Sequence, residues 1–140
     1  QRYPEAAPLY QRLVQQYRGT TQSAEAQRVL RFLSDQEADR LYQQAMERFD
    51  QEDYAQAVQP LQQVIAQYPG TPSEAAARCN LGLAYQHLGQ VEQALQVYDQ
   101  AIAALEHRPE EQPALEFAQA QRTELQPSGL REQPSEYRNP

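Results

Sequence analysis

The sequence predicts an all-α fold: antiparallel helix hairpins stacked as a short right-handed solenoid, with a C-terminal capping helix. Three observations carry the prediction. Apolar residues recur at spacings of three and four along most of the 140 residues. No segment sustains period-two alternation of β-branched residues, so no strand is expected. The chain also repeats itself at a scale typical of stacked helical units.

The repeat is plainest at Tyr68–Ala75, Tyr-Pro-Gly-Thr-Pro-Ser-Glu-Ala, echoed at Tyr17–Ala24 as Tyr-Arg-Gly-Thr-Thr-Gln-Ser-Ala. Tyr3, Ala6, Tyr10, Leu13, Val14 and Gln16 align with Tyr54, Ala57, Leu61, Val64, Ile65 and Gln67, each pair 51 residues apart. A third copy follows 37 residues on, where Val91, Ala94, Tyr98 and Ala101 match Tyr54, Ala57, Leu61 and Val64. A unit this small cannot bury its apolar face alone and must stack on its neighbours.

Leu9, Leu13, Val14 and Tyr17 mark a first helix over 4–17, with Gly19 ending it. Leu61, Val64, Ile65 and Tyr68 mark 54–68, ended by Pro69-Gly70. Thr71 or Ser73 caps the next helix, 73–88, with Pro72 tolerated at its start. Gly89 suits a tight turn into a helix over 91–105. The stretch 23–50 admits two readings. Ser34-Asp35-Gln36-Glu37 has the form of a capping box, which would split it. Parity opposes a split, because two helices there would point the flanking repeat units in opposite directions. The repeat spacings of 51 and 37 differ by 14, about four helical turns, so one long helix keeps the apolar face in register. Parity and spacing favour the single helix, bent near Ser34. A last helix is expected over 114–125 with Leu115, Ala118, Arg122 and Leu125 inward, closing a repeat domain over 1–125. Residues 126–140 carry Pro127, Gly129, Pro134 and Pro140 and read as an extended tail, with Leu130 and Tyr137 as possible anchors.

Composition excludes several functions. The chain has 19 acidic residues against 12 Arg, no Lys, and net charge −7. A nucleic-acid binder needs a basic stripe, and an anionic membrane surface makes the same demand. The 25 Gln are scattered over helical faces and read as solvated surface. No apolar run approaches the roughly 18–20 residues of a membrane span, so no membrane insertion is expected. Cys79 is the sole cysteine and excludes an internal disulfide. The chain opens with Gln1-Arg2-Tyr3, inside a repeat and without Met, as expected of a fragment or a processed chain.

No catalytic, metal or cofactor site is expected. His87 and His107 are the only histidines and stand apart. Cys79 and His87 share a helix eight residues apart, about 12 Å by helical rise, too far for a nucleophilic pair. The acidic pairs Glu52-Asp53 and Glu110-Glu111 read as solvated surface.

The unit Ala75–Leu105, with Leu81-Gly82, Tyr85, Gly89, Ala94, Tyr98 and Ala101, resembles the tetratricopeptide repeat (TPR) family. Leu41, Ala45, Tyr54, Ala57 and Leu61 form a weaker second copy, and the first unit keeps only its second helix. The extended helix and the Tyr-Pro-Gly-Thr ending look like bacterial envelope members that accompany outer-membrane assembly and Tol-Pal systems. That likeness favours an envelope or periplasmic setting. Gly82 and Ala94 are expected to be small because the helices of a hairpin cross there. The resemblance implies a protein-interaction scaffold whose concave groove is lined by the first helix of each pair, here 38–50 and 75–88. The groove positions become Tyr42, Gln43, Met46, Phe49, Asn80, Leu83, Gln86 and His87, with Asp39 and Cys79 beside them. Without Lys the groove lacks the family's carboxylate clamp, and its mixed surface suits an apolar or helical protein segment. Two alternatives remain: a structural or self-associating component of an envelope assembly, and an accessory domain of a larger protein.

Overall fold

A computed structural model describes residues 3–126. Among them are six α-helices and no strand: α1 Tyr3–Gln16, α2 Thr21–Asp50, α3 Tyr54–Gln67, α4 Pro72–His87, α5 Val91–Leu105 and α6 Gln112–Leu125. A single 3-10 turn, Pro109–Glu111, precedes α6. The expected tail at 126–140, with Leu130 and Tyr137, lies outside the described residues beyond Gln126. Each helix packs on the next, and α2–α4 and α4–α6 touch as a second layer. That is a helical solenoid.

The single-helix reading of the long stretch holds. α2 runs 30 residues from an N-cap at Thr20. The Ser34–Glu37 capping box does not form. Glu37 turns instead to Arg40, which donates to it from Nε at 2.9 Å and from its terminal nitrogen. The arginine's hydrogen bonds hold the Glu37 carboxyl below its usual range. An i,i+3 ion pair is satisfied on a continuous helix, so nothing drives a break.

Two clusters make the core. Ala45 of α2, Ala57, Leu61 and Val64 of α3, and Ala77 and Leu81 of α4 form one. Ala75 of α4, Ala94, Tyr98, Ala101 and Leu105 of α5, and Leu115 and Ala118 of α6 form the other. Alanine dominates both because closely crossing helices leave little room for side chains. Gly82 is the extreme case, and the atoms nearest to it across the hairpin belong to Tyr98, one turn on from Ala94. A Cβ added there would lie 2.4 Å from the ring of Tyr98, which is fully buried.

Two expectations about inward faces fail. Arg122 does not enter the core; it reaches across to Asp99 of α5 in an ion pair at the surface. On α1 the buried residues are Ala6 and Ala7, whereas Leu9, Leu13 and Tyr17 are exposed. Their periodicity marks a face, but no described element lies on it.

The repeated Tyr-x-Gly-Thr phrase is a helix-to-helix turn. Gly70 adopts φ 84°, a left-handed backbone that side chains disfavour. Thr71 caps α4, its hydroxyl accepting from Glu74 N–H at 3.1 Å, and Pro72 opens the helix. Glu74 then reaches back, accepting from Gly70 N–H at 2.9 Å, in a variant of the capping box. Arg78 donates to the same carboxylate at 2.8 Å. Arg108, from the segment after α5, donates to it at 3.0 Å and to the Thr71 carbonyl at 3.2 Å. The Glu74 side chain is only 3% exposed and that of Arg108 17%, so this ion pair ties two turns together beneath the surface.

Candidate protein-interaction face

The second half of α2 lies beside α4, and one hydrogen bond fixes their register. Asn80 donates from Nδ2 to the Tyr42 hydroxyl at 2.8 Å and to the Ala76 carbonyl at 3.0 Å. Burial pushes the Tyr42 phenol above its ordinary range, with the charges of nearby groups, Asp50 and Asp39 among them, adding to the effect. It therefore stays a neutral hydroxyl able to accept from the amide.

At one end of this face three rings meet. Tyr54, the first residue of α3, stacks on His87 with centroids 4.2 Å apart and planes 5° from parallel. Phe49 sets its edge against Tyr54 at 5.0 Å and against His87 at 6.0 Å. Phe49 and His87, anticipated as groove residues, are thus joined through Tyr54, which the sequence reading treated only as a repeat position. Its place at a helix start, two residues after the left-handed turn residue Glu52, was the available signal.

The remaining anticipated residues divide. Met46 and Leu83 are half-buried and Gln43 is exposed. Gln86 is drawn toward α5, where its side-chain oxygen accepts from the Tyr98 hydroxyl. Cys79 is drawn toward α6 and donates from Sγ to the Ala114 carbonyl at 3.4 Å. Burial pushes the Cys79 thiol up to about 11, so it is neither a thiolate nor a nucleophile at neutral pH. Gln86 and Cys79 serve the packing of α4 on its neighbours.

Sequence reasoning missed a cleft of about 260 Å³ on the α3–α5 side. Ile65, Leu81, Tyr85 and Val97 form its apolar floor, and Gln62, Gln93, Gln96 and Gln100 supply amides to its lining. Gln62 donates to the Tyr85 hydroxyl at 3.2 Å. Evenly scattered glutamines gave no hint that four would converge. Among the described residues no group of three or more His, Cys, Asp or Glu is placed to hold a metal. No described helix is long and apolar enough to cross a membrane.

The tetratricopeptide repeat family model matches residues 42–109, from Tyr42 in α2 to Pro109 after α5. Residues 42–109 are tetratricopeptide repeats. Neither the curated proteins nor the solved structures contain a match to the chain. The tetratricopeptide repeats take in the second half of α2, all of α3, α4 and α5, and the whole Tyr42–Asn80 face. Repeats of this family generally mediate protein–protein contacts. The hairpin of α1 with the first half of α2, and the helix α6, flank the tetratricopeptide repeats on either side.

Proposed function

We propose that this chain is a protein-interaction scaffold that takes a partner segment on the face shared by α2 and α4. The observation that carries the reading is the hydrogen bond between Asn80 and Tyr42. It joins the two helices directly, and it holds the face in one shape before any partner arrives. Beside it Met46 and Leu83 offer half-exposed apolar surface, and Gln43 and His87 offer polar edges. An apolar stripe flanked by amide and imidazole groups suits the apolar face of a helix or an extended segment. Asp39 and Asp50 lie near Tyr42, so a segment with cationic flanks matches better than an acidic one.

A photo-reactive residue at Leu83 tests this directly in the source cell. It should crosslink to one partner, and Tyr42→Ala should abolish that product while helical content stays unchanged. The same residue placed at Gln119 on α6 should give no such product. Equal crosslinking from both positions would place the contact elsewhere.

A further inference from the structure

The cleft on the α3–α5 side is interior to the repeats. α3 and α5 form its walls and α4 its floor, all within residues 42–109, so a further repeat at either end of the stack would not fill it. Its charge sets it apart from the Tyr42 face, where Asp39 and Asp50 lie close by. Among the described residues no carboxylate lines the cleft, and Arg78 is the charged residue that does.

Gln93, Gln96 and Gln100 stand one turn apart on α5, in a row about 10.5 Å long. Among the described residues their side-chain amides make no hydrogen bond, and Gln62 across the cleft uses one N–H on the Tyr85 hydroxyl. An amide offers a donor and an acceptor, the same pair that a peptide main chain presents. A row of that length spans about three residues of extended chain.

Beneath the row, Leu81 and Tyr85 belong to the apolar floor, and Arg78 stands at one end of it. Gly82 faces Tyr98, so Arg78 lies about one turn further toward the C-terminal end of α5. Its Nε is held by Glu74 at 2.8 Å and its side chain is 19% exposed. No contact among the described residues engages its two terminal nitrogens, which are free to donate to a second carboxylate. The middle of the floor, between Leu81 and Tyr85, is about 7.5 Å from the level of Arg78. On an extended chain, side chains two residues apart point the same way about 6.6 Å apart. An apolar residue and an acidic one in that relation would therefore seat together.

We propose that this cleft is a second binding site, which takes an extended peptide segment with one apolar and one acidic residue two positions apart. The test is a residue-resolved NMR titration of the 140-residue chain with the capped tripeptides Leu-Ala-Glu and Glu-Ala-Leu, one for each chain direction. One of the two should saturate at millimolar concentration and shift the side-chain amides of Gln93, Gln96 and Gln100. Exchanging its Glu for Gln should weaken binding about tenfold. Gln96→Glu, at an exposed position, should weaken it by a similar factor, whereas the same charge change on α6, Gln119→Glu, should leave it unaltered. Failure of both peptides to saturate by about 10 mM, equal binding of the Gln version, or shifts confined to the Tyr42–Asn80 face would overturn the proposal. So would tighter binding of maltose at the same glutamines, which would assign the cleft to a sugar.

Discussion

The two Tyr-x-Gly-Thr turns, 51 residues apart, share a backbone and differ in what stands behind it. In the first, Gly19 adopts φ 74° and Thr20 accepts from Ser23 N–H at 3.2 Å. In the second, Gly70 adopts φ 84° and Thr71 accepts from Glu74 N–H at 3.1 Å. Both threonine hydroxyls donate back to the tyrosine carbonyl. At the fourth position of the helix entrance the likeness stops. Ser23 donates to the Val14 carbonyl at 3.4 Å. Glu74 gathers a backbone N–H and two arginines. The motif alone thus makes a turn, and the buried carboxylate converts the second copy into a junction of α3, α4 and the segment after α5. The tyrosines follow: Tyr68 is 6% exposed and packs edge-on against Tyr3 at 5.6 Å, whereas Tyr17 stays 42% exposed.

The largest test of this contrast is Glu74→Ala. Removing the buried carboxylate from Arg78 and Arg108, and leaving Arg108 only the exposed Glu110 at 3.6 Å, should cost about 3 kcal/mol in urea unfolding. Ser23→Ala should cost about 1 kcal/mol, the value of a single neutral hydrogen bond. Equal costs would mean that the two turns are energetically the same. Gly82→Ala comes next. It lies in the denser repeat and drives a methyl into the fully buried Tyr98 ring, for about 1–3 kcal/mol by thermal melting. The glycines of the turns should erase the contrast. Nothing lies within 4 Å of an added Cβ at Gly19 or Gly70, and both have positive φ. Alanine at either should cost about 1–2 kcal/mol, for backbone reasons alone. The last effect, absent at neutral pH, concerns Cys79. Its folded value is raised from 9.0 to about 11, so its contribution is complete below about 9 and is lost as pH rises through about 11. Stability should therefore fall more steeply with alkaline pH in the parent chain than in Cys79→Ala, when the two are compared across that window.

Periodicity and internal repetition made most of the fold legible. The 14-residue difference between repeat spacings identified α2 as one helix, because a rigid helix conserves its face over whole turns. Turn chemistry was equally readable at Thr71, Pro72 and Gly70. What escaped depended on partners far along the chain. The pattern of Leu9 and Leu13 tells which side of α1 is apolar and not whether anything covers it. Arg122 has helical phase for the core, yet Asp99 offers a better place for its charge. For the candidate face, membership of α2 and α4 was readable from helix order. The sorting of its residues was not, since Gln86 and Cys79 are claimed by Tyr98 and by the Ala114 carbonyl on other helices.

At 30 residues, about 45 Å, α2 also works as a shaft with a fixed phase. Its first half carries the α1 hairpin and its second half carries the Tyr42 face, with no hinge between them. Each residue inserted between the two would turn one end against the other by about 100° and move it about 1.5 Å. An insertion of seven residues would nearly restore the original angle while lengthening the shaft by two turns. The length of this one helix therefore sets both how far apart the two faces stand and in which direction each looks.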